Sequence, residues 1–201
     1  MIVIVDYGEG NIRSVEKALI FLGQNVTVSN NPAIIEKATK LIVPGQGAFK
    51  QAMSQLNNQH LITPIKTHIT QQKPFLGICL GFQILFESSD EHGGSKGLGI
   101  FPGTFTKMNP AKLKVPHMGW SQLDIQNEAS MFTGMSPKDF VYFVHSFYLL
   151  ETQPNLISAT TTYGTPFISA IQDNHIWGTQ FHPEKSGDVG LTILKNFIKL
   201  N

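Results

Sequence analysis

The chain contains one cysteine, Cys79, and it stands between Gly77 and Gly81 where an apolar run changes its period. Phe75-Leu76-Gly77-Ile78 reads as a short buried strand. From Leu80 through Phe82-Gln83-Ile84-Leu85-Phe86 the apolar residues fall close to helical spacing. A cysteine at such a join, with a glycine two before and two after, has the pattern of a nucleophile elbow with Cys in place of Ser. The glycines leave room for a sharp strand-to-helix turn that lifts the side chain clear of the sheet. The expected helix starts at Cys79, where its positive end and free N–H groups favour a thiolate. A lone cysteine is otherwise a small buried hydrophobe. The paired glycines are what favour the nucleophile.

A thiolate nucleophile needs a base, and the base needs a group that orients it. Of the seven histidines, His182 is the best placed. It lies in Gly178-Thr179-Gln180-Phe181-His182-Pro183-Glu184-Lys185, directly after an apolar strand. Glu184 follows across Pro183, whose fixed φ holds the turn, so the carboxylate can come back onto the imidazole. Alone, a His-Pro-Glu turn is more often a surface loop; with the elbow it completes a Cys79–His182–Glu184 triad. Acyl transfer also needs N–H donors where the oxyanion develops. The elbow supplies that of Leu80. A second is expected from another strand-end loop, and Pro44-Gly45-Gln46-Gly47 is the natural candidate, because its glycines let a peptide approach a ligand or flip. The plainer alternative there is an ordinary turn.

These residues need a scaffold that brings strand ends together. Ile2 to Val5 is a β-branched run typical of a central parallel strand. The turn Asp6–Asn11 follows, then Ile12, Val15, Ala18, Leu19 and Leu22 at helical spacing with Gly23 as a stop. Strands are expected at 25–28 and 41–43, and helices at about 32–39, 48–56 and 61–71, before the elbow strand. Strand and helix alternate through residue 87, which predicts a doubly wound, mostly parallel α/β sheet. Open sheets of that kind bind ligands outside the carboxyl ends of their strands. After residue 93 the pattern changes. Gly93–Gly99 reads as a flexible connection. Short β-like runs follow at 104–108, 122–125, 140–149, 156–162, 167–172 and 175–180, divided by turn signals such as Asn109-Pro110. They predict an added antiparallel portion within one domain over residues 1–201, closed by a helix at about 187–200.

Composition narrows the classes. With 201 residues, 41% apolar and 14% charged, the chain can bury a sizeable core. A net charge of +1 gives no bulk electrostatic case for nucleic acid or an acidic membrane surface. One cysteine cannot form an internal disulfide, and a free thiol suits a reducing cytoplasm. No apolar run is long enough for a membrane span. Met1–Asp6 reads as a first strand rather than a signal peptide. His60, His68, His92 and His175 show no ligand-like clustering, so no metal is expected, and no cofactor is called for.

Taken together, Gly77-Ile78-Cys79-Leu80-Gly81-Phe82-Gln83 and Phe181-His182-Pro183-Glu184 resemble the class I (triad) glutamine amidotransferases, whose fold is flavodoxin-like. Six further segments are similar to the glutaminase subunits of imidazole glycerol phosphate synthase: 6–11, 44–49, 97–100, Pro116-His117-Met118-Gly119-Trp120, His145-Ser146-Phe147-Tyr148 and 184–187. The matches run in order along nearly the whole chain. The resemblance implies that Cys79 attacks the side-chain amide of glutamine, with His182 as base oriented by Glu184. Leu80 and Gln46, with Gly47 in the same loop, would line the oxyanion hole. Gln83 and Glu91 would hold the glutamine head group, with backbone help from Ser146 and Phe147. Ammonia would pass to a (β/α)8-barrel cyclase subunit that makes imidazole glycerol phosphate and an aminoimidazole carboxamide ribotide in histidine biosynthesis. Asn11, Trp120, Tyr142 and Lys185 would lie at that subunit boundary. Three positions depart from the family pattern: 46, usually small and apolar, is Gln; 121, commonly Asn, is Ser; 147, often Tyr, is Phe.

Other readings use the same residues. A class I glutaminase could serve another acceptor, in surface-sugar, nucleotide or vitamin synthesis. A non-catalytic module of this fold would be expected to lack one of the triad residues, and all three are present. By residue type alone Met118 and Trp120 fill a core, and His117 and His145 are satisfied structural histidines.

Overall fold

The computed structural model describes residues 1–109, 113–126 and 129–200. The strands are β1 (Ile2–Val5), β2 (Val26–Ser29), β3 (Lys40–Val43), β4 (Phe75–Ile78), β5 (Phe86–Ser89), β6 (Ser95–Lys96), β7 (Phe101–Lys107), β8 (His117–Gln122), β9 (Asp124–Ile125), β10 (Phe140–His145), β11 (Phe147–Tyr148), β12 (Ile157–Tyr163), β13 (Thr165–Asp173) and β14 (Ile176–Thr179). The α-helices are α1 (Ile12–Phe21), α2 (Pro32–Glu36), α3 (Phe49–Asn58), α4 (Ile62–Thr70), α5 (Leu80–Gln83) and α6 (Gly187–Lys199).

The main sheet runs β2-β1-β3-β4-β14-β13-β12-β9. Its first five strands are parallel, and β13, β12 and β9 extend it antiparallel. The mostly parallel sheet with an antiparallel addition therefore holds as expected. Successive residues of a strand face opposite ways, and β1 divides accordingly. Val3 and Val5 enter a core covered by α2, α3 and α4, whereas Ile2 and Ile4 enter one covered by α1 and α6. This two-sided burial is why the run Ile2–Val5 is apolar throughout rather than alternating. Two smaller sheets flank it, β10-β8 and β11-β7-β5-β6. Among the described residues no helix is long and apolar enough to cross a membrane.

Chain order reverses beside β1, with β2 on one side and β3 and β4 on the other. The loops after β1, β3 and β4 thus emerge at one edge, at a switch point of the kind that holds ligands. They pack closely: a Cβ on Gly10 would lie 2.9 Å from Gly45 Cα, and one on Gly45 would lie 2.7 Å from Leu80 Cβ.

Three expectations are corrected. The elbow helix does not continue to Phe86; it stops after Gln83, and Phe86–Ser89 is strand β5. Tertiary pairing overrides the helical spacing. Ile84 and Leu85 carbonyls accept from Leu98 and Ile100 N–H, and the Phe86 ring packs against Phe82, Phe101 and Phe105. A four-residue helix sums little macrodipole, so the expected help for a thiolate from that source is small. The segment after residue 93 is not a loose connection. Ser95 and Lys96 pair with Ser89 and Ser88, and Gly97 N–H bonds Glu87 O at 2.8 Å. The stretch 117–122, treated only as a motif, is β8, paired antiparallel with β10 from His117↔His145 to Gln122↔Phe140. Of the turn signal Asn109-Pro110, Pro110 lies outside the described residues.

Candidate active site

Cys79 has φ 53° and ψ −103°, a conformation that L-residues with a side chain rarely adopt. The flanking glycines make it possible by letting backbones touch. A Cβ on Gly81 would meet Val43 O at 1.7 Å, and one on Gly77 would meet Gly81 O at 2.4 Å. No larger residue fits either position without moving β3 or β4. Cys79 N–H is fixed by Thr179 O at 2.7 Å, and Sγ lies 4.0 Å from Val144 O.

His182 and Glu184 come from the turn after β14. Nδ1 of His182 lies 2.8 Å from Glu184 Oε1, and both side chains are buried, at 2% and 1% exposure. A carboxylate only accepts, so Nδ1 carries the proton. That leaves Nε2, buried and with no hydrogen-bond partner, for the reaction. Burial is the largest single influence on this imidazole and lowers its pKa. The charge of Cys79 and contact with it, then the Glu184 hydrogen bond and charge, outweigh burial and raise it to about 10. An imidazolium there has a proton ready for a departing amine.

The cavity that Cys79 lines is also lined by residues with free backbone N–H groups. Among the described residues no acceptor takes the N–H of Leu80, Gln46 or Gly47. Gln46, Gly47, Cys79 and Leu80 line one cavity of about 560 Å³. The loop is anchored by Tyr7, whose buried hydroxyl donates to Pro44 O at 2.8 Å. Burial first, then the charges of Cys79 and Glu9, push the Tyr7 phenol far above its ordinary value, so it stays a neutral donor. Gly47 has φ +104°, a left-handed conformation that suits glycine.

The other expected substrate residues line the same cavity: Gln83, Glu91, Ser146 and Phe147. Glu91 already has work to do, since its Oε2 accepts from Phe49 N–H at 2.6 Å and so ties down the first turn of α3. The Ser146 carbonyl accepts from Met108 N–H, and the Phe147 carbonyl from His145 Nδ1.

The cavity reaches from Cys79 to Met118, Tyr142 and Lys185. Trp120 and Tyr142 are opposite each other on β8 and β10 with ring centroids 6.1 Å apart, and Lys185 Nζ lies 6.0 Å from the Tyr142 ring. Met118, Trp120 and Phe140 are 63%, 54% and 53% exposed. Trp120 and Met118 are therefore surface residues, not core fillers. Asn11 is on a different loop, at the start of α1 and next to Gly10.

Two participants, Tyr7 and Gln180, were missed from the sequence. Tyr7 reads as one more turn residue. His117 and His145 were expected to be satisfied structural histidines, and they are satisfied by each other at 3.0 Å. Gln180 touches Cys79 Sγ, and only its place two residues before His182 could have drawn notice.

The class-I glutamine amidotransferase family model matches residues 3–200. The chain belongs to the class I glutamine amidotransferases. Among curated members of the family, it is 46% identical to the imidazole glycerol phosphate synthase subunit HisH of Syntrophotalea carbinolica, over 98% of each chain. It is 45% identical to that of Aquifex aeolicus, over 97% of this chain and 94% of the relative, and 48% to that of Lacticaseibacillus casei, over 98% and 94%. In fold it is similar to a crystal structure of a glutamine amidotransferase, with TM-score 0.76 at 17% identity over 98% of this chain and 97% of that one. A putative GMP synthase subunit from Thermoplasma acidophilum gives 0.74 at 19% identity over 99% and 92%. A glutamine amidotransferase of this class with Cys79 held in a strained turn has the backbone needed for acyl transfer at sulfur.

Proposed function

We propose that this chain, as one domain over residues 1–201, is the glutaminase subunit of a cytoplasmic imidazole glycerol phosphate synthase in histidine biosynthesis. Its relatives carry that synthase's name along nearly their full length. The observation that carries the chemistry is the strained Cys79 beside a buried His182–Glu184 pair.

In this reading Cys79 Sγ, as thiolate, attacks the carboxamide carbon of glutamine. The oxygen becomes an oxyanion held by the N–H groups of Leu80 and of Gln46 or Gly47. His182 gives its Nε2 proton to the amide nitrogen, the C–N bond breaks, and ammonia leaves a glutamyl thioester. His182 then takes a proton from water, hydroxide attacks the thioester carbon, and the C–S bond breaks to give glutamate and the thiolate. Glu184 keeps Nδ1 protonated throughout, so Nε2 does the transfers. Gln83, Glu91, Ser146 and Phe147 bind the amino-acid end of glutamine.

The partner is a (β/α)8-barrel cyclase subunit, docked over Met118, Trp120, Tyr142 and Lys185 with Asn11 at the rim. An exposed Trp beside Tyr and Met on a two-stranded sheet is the kind of anchor that interfaces use. The cavity that contains Cys79 also touches three of these residues, so ammonia is released toward the docked subunit. Loss of one oxyanion donor costs about 10²–10³ in rate. A flip of the loop at Gly47 is therefore sufficient to keep the isolated chain idle. The test is glutamine hydrolysis by the chain alone, with the cyclase, and with the cyclase plus its nucleotide. Turnover should rise by about 10² or more across that series. Full turnover by the isolated chain would make it a free-standing glutaminase.

A further inference from the structure

Gln180 has no part in the chemistry described so far. It follows β14, is fully buried, and its backbone N–H bonds Ser169 O at 2.9 Å. Its side chain bridges two residues of the site. Nε2 lies 3.6 Å from Cys79 Sγ, and Oε1 accepts from Gln83 Nε2 at 3.1 Å.

The sense of this amide is determined by its neighbours. A thiolate has no proton and can only accept, so the NH2 end of Gln180 must face the sulfur. Oε1 is then turned to Gln83, which must present its own NH2 and keep its Oε1 elsewhere. Reversing either amide sets lone pair against lone pair in a buried site, where an unmatched polar group is costly. Each amide thus holds the other in one orientation.

We propose that Gln180 is a positioning residue for the nucleophile, its amide N–H holding Cys79 Sγ whenever that sulfur is anionic, with Gln83 fixing the sense of the amide. The proposal rests on Cys79 being the nucleophile. The titratable groups that feel the charge of Cys79 are His182, from the turn after β14, and Tyr7, from the turn after β1. Tyr7 is bonded to Pro44 O and offers the sulfur nothing. His182 must give up its proton and recover it in each cycle, so its help is intermittent. An amide donor does not titrate. It is present when the thiolate attacks and again when sulfur leaves the thioester and regains its charge. A bond that strengthens as charge returns favours the transition state over the neutral thioester.

The test is alkylation of Cys79 by iodoacetamide across pH, in the full-length chain, with circular dichroism and thermal melts alongside. Iodoacetamide needs neither the oxyanion loop nor a partner, so it reports on the sulfur. Gln180→Leu removes the donor at similar size, and Gln180→Glu replaces it with a carboxylate. Both should alkylate about tenfold more slowly near neutral pH, with the half-plateau pH moved up by about one unit, and Glu should have the larger effect. A residue that merely fills space would lower the melting temperature and leave the profile where it was. Folded variants that follow the wild-type profile would overturn the proposal. Should neither fold, Gln83→Leu carries the test: it frees the amide to turn, so the profile must move in the same direction by a smaller amount, and an unmoved profile overturns the proposal. Wild-type Cys79 no more reactive than a cysteine in an unfolded peptide would instead remove the nucleophile reading itself.

Discussion

His117 Nδ1 lies 3.0 Å from His145 Nε2, and this bond can run in only one direction. His145 Nδ1 is 2.8 Å from Phe147 O, and a carbonyl only accepts, so Nδ1 bears the proton and Nε2 is the acceptor. His117 must then donate from Nδ1, which leaves its Nε2 to accept from the Ser121 hydroxyl at 2.9 Å. Burial holds both rings neutral, His145 at about 3 and His117 at about 4. The chain of bonds ends on the backbone that lines the cavity beside Cys79. Replacing His145 with Phe keeps aromatic packing against Phe143 and Phe167 but frees the Phe147 carbonyl. His145→Phe should therefore raise KM for glutamine about tenfold, by roughly the worth of one buried hydrogen bond, with a smaller change in kcat. Ser121→Ala should weaken binding less, and Ser121→Asn should restore it, because an amide can also donate to Nε2. Steady-state glutaminase kinetics of the three variants check this.

The elbow predicts a contrast between glycines. A Cβ on Gly81 would lie 1.7 Å from the Val43 carbonyl, which belongs to a central strand and cannot retreat. Gly81→Ala should lose several kcal/mol, a size reached only when packing is broken, and accumulate as unfolded protein. Gly93 has φ +85° and nothing within 4 Å of an added Cβ. Gly93→Ala should cost only about 1 kcal/mol of backbone strain. Urea melts of the two proteins give the comparison.

Stability should fall in mild acid, and His68 supplies part of the slope. Its Nε2 donates to Pro74 O at 3.0 Å, and Nδ1 is buried without a partner. Burial lowers its pKa to about 4, with the Pro74 bond opposing and Lys73 and His175 reinforcing. The unfolded chain, at about 6.5, binds the proton more readily than the fold does. This histidine's contribution is thus complete above about 6.5 and is lost as pH falls toward 4, at up to about 1.4 kcal/mol per pH unit. His117 and His145 act in the same sense. His182 acts in the opposite sense and at higher pH. Its pKa is raised, so its contribution is present below about 6.5 and lost as pH rises through about 10. His68→Gln keeps a donor toward Pro74 and does not titrate. Between pH 7 and 5 its melting temperature should fall less than that of the wild type, with glutaminase activity unchanged. Equal slopes would contradict the assignment.

Much of this was legible in the residues. The β-branched run at Ile2–Val5 marked a strand buried on both faces, and Gly77 and Gly81 marked the elbow, because local rules and the fold agree there. Phe86 was not legible as a strand. Its spacing from Phe82 is helical, and only pairing with Phe101, fifteen residues on, decides otherwise. The His117–His145 bond was hidden for a similar reason. It depends on the register of β8 against β10, which no local pattern encodes. Gln180 was hidden because its role depends on two neighbours about a hundred residues away in the chain.

The triad variants should separate by role. His182→Ala removes both the proton donor and the base, and should cost nearly as much as loss of the nucleophile. Glu184→Gln keeps an acceptor at Oε1 but weakens support for the imidazolium, and should retain a measurable fraction of turnover. Glutamate formation by both variants in complex with the cyclase is the measurement. Near-normal turnover by His182→Ala would move the base elsewhere.

The most direct measurement compares glutamine with free ammonia as nitrogen source for the assembled synthase carrying Cys79→Ala. In the proposed function Cys79 cleaves the amide and takes no part in docking or cyclisation. The variant should bind the cyclase normally, form no glutamate, make no imidazole glycerol phosphate from glutamine, and make it from an ammonium salt. Substantial glutamate formation by the purified Cys79→Ala complex would contradict the proposed function.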